Sequence, residues 1–323
     1  MGLNVHSHRK VKSSDSEESE LVHAARITSD QVGAIATWLD YEKVVAETRD
    51  YLYRLGQRPC VKPDRTRLRS WLVNAWSTEF LINSLDDDFG NETLAYAVHW
   101  LFPQLYYSIY AHRAALSIVN GGKEATHQAA LKAFGSDAMH ERLPKAFCVC
   151  VNGTKDKPEA IGVVCDMTFE AQRRLRRDNQ DSVVSYIVTA LRTTRNIDLE
   201  RLRKDRAGDF LTAKKQQKKN LSSDDWKIIS NKAAPTSILS YLYRKRVKAN
   251  YHNVDVFHSD AIDAAQMFRD VKTICTSFAL CNEAIICRKI GYKVFSELVA
   301  TAPPKLSGFI KRRLIDVSAC IDQ

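Results

Sequence analysis

Residues 91–122 read NETLAYAVHWLFPQLYYSIYAHRAALSIVNGG. From Leu94 to Val119 this is the most apolar run in the chain, and it is long enough to suggest a membrane span. His99, Gln104, His112 and Arg113 lie inside it, however, and placing them in lipid is costly. The run is therefore read as a buried core helix. It starts at Asn91, is kinked at Pro103, and is closed by Asn120-Gly121-Gly122. A helix of that length and apolarity needs other helices around it, so the segment points to a helical bundle.

The rest of the chain agrees. Among 323 residues there are only 12 Gly and 8 Pro, too few for the frequent turns of a sandwich or barrel. Hydrophobic residues make up 45% and charged residues 27%, the balance of a globular core under a polar surface. One amphipathic helix is expected from Asp30 to Leu55, closed by Gly56. After a break at Pro59–Pro63, Asp64 caps a second helix reaching Leu85. Residues 123–134 form a short helix stopped by Gly135. Two short apolar runs, 146–151 and 161–165, flank the turn-rich NGTKDKP as small strands or an extended loop. Helical periodicity returns over 181–206, briefly at 226–231, from Pro235 to about Asn250, over 260–290 with Gly291 as its cap, and from about Lys305. The expected fold is mainly α: a helical bundle with a small extended or β-hairpin insertion near 146–165. Residues 1–27 read as a disordered tail. Residues 28–300 read as the helical domain, with a basic insertion at 173–220, and 301–323 as a C-terminal helix.

The N-terminus lacks a secretory leader, and His6 breaks the myristoylation pattern. Eight cysteines without a leader suggest free thiols in a reducing, cytoplasmic setting. Cys148 and Cys150, with Cys165 and His140, are the one conceivable metal set, but the second half of a zinc motif is missing. They read as buried thiols, and no metal or cofactor is expected. Phosphate-binding glycine loops, dinucleotide fingerprints, zinc-protease, serine-hydrolase and deaminase motifs are all absent from the sequence.

Charge is uneven. The chain carries 48 Lys or Arg against 38 Asp or Glu, and residues 173–219 hold 14 against 6. Three clusters dominate that window: RRLRR (Arg173, Arg174, Arg176, Arg177), RLRKDR (201–206) and KKQQKK (Lys214, Lys215, Lys218, Lys219). A solvated face is the ordinary reading of one charge run, but three together point to a polyanion such as RNA or another nucleic acid. No aromatics are interleaved, so the expected contact there is with phosphate rather than by stacking.

The chemistry concentrates in Tyr241–Phe257, YLYRKRVKANYHNVDVF. Arg246 and Asn250 are four apart and share a helix face. On a continuous helix His252 would lie about 240° round from Arg246, but NYHNVD continues a helix poorly. If the helix ends there, His252 can fold back beside Arg246. A permanent cation, an amide and an imidazole titrating near neutrality suit phosphodiester cleavage. Arg244, Lys245 and Lys248 read as a phosphate-facing surface. The ordinary alternative is a helix end whose Arg and His face the last carbonyls. His112 and Arg113 read as a buried, hydrogen-bonded pair. Tyr106, Tyr107, Tyr110, Trp71, Trp76 and Trp100 read as core.

With these residues the sequence resembles the HEPN superfamily of helical ribonucleases and their non-catalytic relatives. Arg246-VKANY-His252 matches the family's Arg, four to six residues, His motif. LYYSIYAHRAALSIVNGG (105–122) is similar to its Tyr-rich early helix, and THQAALKAF (126–134) to the segment that follows. The likeness spans most of 64–290. One departure is Val247, where the commonest form has Asn, Asp or His. The resemblance implies metal-independent RNA cleavage by the ribose 2′-hydroxyl, leaving a 2′,3′-cyclic phosphate, with sites facing each other across a homodimer. It also implies a place in prokaryotic antiviral or toxin–antitoxin systems, with an operon-encoded partner protein. The other reading is a catalytically silent helical module that binds nucleic acid or a partner protein. A third is a scaffold whose basic face sets only its solubility.

Overall fold

The structure is a computed structural model and describes residues 14–56, 62–85, 91–122, 126–164, 174–211, 216–218, 220–251 and 254–321. The described chain is mainly α, with a small three-stranded antiparallel sheet. In chain order the helices begin with α1 (Ser14–Trp38), α2 (Tyr41–Leu55), α3 (Arg65–Ser84), α4 (Asn91–Val119) and α5 (His127–Met139). Strands β1 (Cys150–Gly153) and β2 (Pro158–Ile161) follow, then α6 (Gln180–Asp205), α7 (Ser223–Lys232) and strand β3 (Thr236–Ser237). The chain continues through α8 (Ile238–Tyr251), α9 (Val254–Phe257), α10 (Ala264–Ile290), α11 (Tyr292–Ala300) and α12 (Pro304–Ile321).

α4 and α10 are the central pair; α3 and α8 pack on α4, and α1, α2 and α12 on α10. The apolar segment that suggested a core helix is one: Val98, Leu105, Tyr106, Ile109 and Ala115 are wholly buried. A buried polar knot ties four helices at the middle. Glu283 (α10) accepts hydrogen bonds from Trp76 Nε1 (α3) at 2.8 Å and from His112 Nε2 (α4) at 2.9 Å. Arg313 (α12) pairs with Glu79 (α3) and stands 3.9 Å from the other Glu283 oxygen. All these side chains are buried.

The sheet runs β2-β1-β3, with Val151 opposite both Ala160 and Thr236. Arg195 of α6 holds it in place. This fully buried guanidinium donates to the carbonyls of Gly153, Ala234 and Ser230. Counted by sequence with the basic window, it is a structural residue.

Several expectations are corrected. Residues 14–27 are not a disordered tail: they belong to α1, whose Ala25, Thr28 and Val32 bury against the core. Residues 1–13 lie outside the described residues. The single helix expected over 30–55 is two, broken at Asp40, whose side chain caps α2 by accepting from the amides of Glu42 and Lys43. Gly135 does not end α5 but sits inside it, because a Cβ there would meet the Pro235 carbonyl oxygen at 2.2 Å. The basic "insertion" at 173–220 is instead largely α6, whose Val183, Ile187 and Leu191 are core residues. Gly291, at φ +88°, closes α10 as expected and also starts α11, a helix the sequence pattern did not reveal. The C-terminal helix is part of the same core through Leu306, Ile310 and Val317.

Candidate nucleic-acid interface

α8 presents two chemically different faces. Tyr243, Arg246 and Asn250 fall on one side of the helix and Tyr241, Arg244, Lys245 and Lys248 on the other, as a 100° step per residue requires.

On the first face Arg246 lies against aromatic rings from α4. Its guanidinium carbon is 4.7 Å from the Tyr107 ring centroid, 5.4 Å from that of Tyr106 and 5.6 Å from that of Tyr243. One terminal nitrogen donates to the Tyr107 hydroxyl at 2.6 Å. Cation–π contact and this hydrogen bond fix the planar fork in one orientation. The histidine found beside it is His127, the first residue of α5 after the Thr126 cap. Its ring centroid is 4.2 Å from that of Tyr110, 5.5 Å from Tyr106 and 6.0 Å from Tyr107. His127 Nδ1 is 3.1 Å from the Tyr106 hydroxyl. Burial, and then the Arg246 charge, push the His127 pKa below the usual imidazole value. The shift favours the neutral ring, the form that can accept a proton. His252, which the sequence pairs with Arg246, lies outside the described residues. Asn250 is half-buried one turn beyond Arg246.

Tyr107 also closes an exposed aromatic row on α4. Tyr96 is 66% exposed, Trp100 57% and Tyr107 38%. Spacings of four and seven residues put the three on one side of the helix. Trp100 and Tyr107 are thus not core residues, which corrects the sequence reading, whereas Trp76 and Tyr106 are buried as expected. Beside the row, His99 and His258 are 2.9 Å apart between ring nitrogens. Periodicity alone could have shown that 96, 100 and 107 share a side of α4; that this side faces solvent depends on which helices cover it.

On the second face, Arg244, Lys245 and Lys248 line a cleft of about 950 Å³ between α1, α6 and α8, together with Arg192, Arg201 and Lys204 of α6. Lys245 is only 4% exposed and donates to Thr28 Oγ1 at 2.8 Å. Burial pushes its pKa well below the ordinary lysine value, and Arg244 and Lys248 push it further.

The remaining basic candidates are dispersed. Arg177 makes a bidentate pair with Asp270, at 2.8 and 2.6 Å. Arg174 stands 3.9 Å from Asp30, and Arg176 is exposed. Lys218 is held in place by the fold. Its amide bonds to Phe210 O and its Nζ reaches both Asp225 oxygens at 2.9 and 3.1 Å, bracing the α7 cap. Arg173, Lys214, Lys215 and Lys219 lie outside the described residues, as does Cys165. Cys148 and Cys150 are buried, and burial pushes their thiols up to about 11 and about 12. Among the described residues one set has metal-ligand types at close range, Glu79, His112 and Glu283, with donor atoms within 4.8 Å. There the Arg313 guanidinium supplies the positive charge.

Compared with protein-family models, curated proteins and solved structures, the chain gives no significant match. No helix among the described residues is long and apolar enough to cross a membrane.

Proposed function

We propose that this protein binds single-stranded RNA along α4 and cleaves it at Arg246 without a metal, as a ribonuclease of HEPN type. The observation that carries the reading is the meeting of three features at one point. An exposed aromatic row able to stack bases ends at a guanidinium held by tyrosine rings, with a histidine packed on the same rings. In the reaction the 2′-oxygen bonds to phosphorus and the P–O5′ bond breaks. The 2′-hydroxyl proton passes to His127, and the departing 5′-oxygen takes a proton from water. Arg246 balances the charge that builds on the phosphorane oxygens. The resemblance of the 105–134 and 246–252 segments to that superfamily supports the reading, and with it a paired-copy assembly in a prokaryotic defence system.

The test compares Arg246→Ala, His127→Asn and His252→Asn on an unstructured RNA. Arg246→Ala and His127→Asn are expected to lose on the order of 100-fold or more in rate, with the helical circular dichroism unchanged. Cleavage by both at the parent rate overturns the proposal. Loss in His252→Asn but not in His127→Asn returns the base to the position the sequence motif indicates. A parent that binds the RNA and never cuts it is a binding module instead.

A further inference from the structure

The cleft on the opposite side of α8 takes no part in that chemistry, and its composition is unusual. Six Lys or Arg side chains line it against one carboxylate, Glu200. Glu200 is already engaged, by Lys155 at 3.2 Å and Arg203 at 3.1 Å. Asp198, whose charge acts on Arg244, is paired with Arg201 at 3.7 Å and also feels Arg195. Lys245, the most buried cation of the cleft wall, has a hydroxyl partner but no counter-charge among the described residues. Burial without an anion disfavours the ammonium form, and a phosphate placed in the cleft would favour it again. Asn196 Oδ1, on the same wall, is buried and has no hydrogen-bond partner among the described residues.

The cations are also spread out. Arg192 and Lys204 are twelve residues apart on α6, about 18 Å along the helix, while Arg244 and Lys248 cover one turn of α8. A lone phosphate cannot meet them together, but a chain of phosphates can. Ile27, Ile197 and Val256 add an apolar wall suited to a base or ribose.

We propose that this cleft binds a nucleoside carrying a chain of phosphates, either a free nucleotide or the 5′-triphosphate end of an RNA, with Lys245 as the most buried phosphate contact. The inference does not depend on the nuclease reading, because its test is binding and not cleavage.

The experiment measures binding of tripolyphosphate, ATP, GTP, and one RNA prepared with either a 5′-triphosphate or a 5′-hydroxyl. Each is titrated calorimetrically into the full chain, Lys245→Met, and the double variant Arg201→Ser/Lys204→Ser. Lys245→Met keeps the side-chain volume and gives up the Thr28 hydrogen bond together with the cost of burying the amine, so the variant should stay folded. Tripolyphosphate is expected to bind the parent and to bind each variant at least tenfold more weakly. Preference for the triphosphate RNA over ATP and GTP identifies an RNA end as the ligand; the reverse identifies a free nucleotide. If Lys245→Met fails to fold, the double variant at the cleft's mouth decides. No tripolyphosphate binding by the parent, or equal binding by the parent and the folded variants, overturns the proposal. A cleavage defect in Arg246→Ala without change in tripolyphosphate affinity keeps the two sites distinct.

Discussion

Replacing Arg313 with Met removes the cation from the buried knot that ties α3, α4, α10 and α12. In the native protein burial pushes the Glu79 carboxyl up. Burial acts on Glu283 in the same way, but there Arg313, His112 and Trp76 outweigh it and hold the carboxyl below its usual value. Arg313 is itself raised, since Glu79 and Glu283 outweigh the burial that would lower it. The variant leaves Glu79 without its partner in a site where both carboxylates are inaccessible to solvent. Glu283 keeps the Trp76 and His112 bonds. Breaking a buried pair from one side costs ~3–5 kcal/mol. At roughly 2 °C per kcal/mol for a chain of this size, the melting temperature should fall by roughly 6–10 °C. The loss should be smaller at pH 5 than at pH 8, because a proton can neutralise the stranded Glu79. Adding Glu79→Met to Arg313→Met removes the pair as a pair and should recover at least about half of the loss. Calorimetric melts of the three proteins at both pH values provide the test. A single variant melting within about 1 °C of the parent, or a double variant no better than the single, would refute the view that the guanidinium neutralises this site.

Trp100→Ala should weaken binding of an unstructured RNA by about 1–3 kcal/mol, the worth of one stacked base. The urea midpoint should hardly move, since the ring is largely exposed; fluorescence anisotropy and a denaturation curve read the two quantities. Gly135→Ala should cost ~1–3 kcal/mol or more, because the new methyl meets the Pro235 carbonyl and α5 must shift away from β3. An unchanged urea midpoint would contradict the close approach. Asp225 is held at about 2, below its usual 3.8, first by the Lys218 hydrogen bond and then by Ser222. A depressed carboxylate contributes stability above its unfolded pKa and loses it as pH falls through the folded one. Amide protection in the first turn of α7, taken relative to the intrinsic exchange rate at each pH, should therefore be lost between about pH 4 and pH 2, and Lys218→Ser should move that onset upward. Protection that stays constant through this window would count against the pairing.

The helical class was readable because α4 is so apolar and because Gly and Pro are rare. Boundaries were readable where a cap is chemically marked, as at Asp64 and Gly291. The extent of α1 was not: 14–27 look polar in isolation, and become helical by packing Ala25 and Thr28 against neighbours distant in sequence. Arg246 could be singled out within its segment, but nothing in the sequence indicated that His127, 119 positions earlier, packs on the same tyrosines. No local spacing links the start of α5 to the middle of α8. Charge counting likewise marked the basic window without telling its members apart. Arg195 and Arg177 hold the fold together, whereas Arg192, Arg201 and Lys204 join α8 cations from outside the window to line one cleft.

The most direct measurement is of the ends left on RNA. An unstructured RNA is incubated with the protein in excess EDTA, and the products are analysed by mass spectrometry beside those of Arg246→Ala. The parent should leave 2′,3′-cyclic phosphate and 5′-hydroxyl ends, and the folded variant should leave the RNA intact. Ends of 3′-hydroxyl and 5′-phosphate type, cleavage only on addition of Mg²⁺, or undiminished cleavage by Arg246→Ala would contradict that expectation.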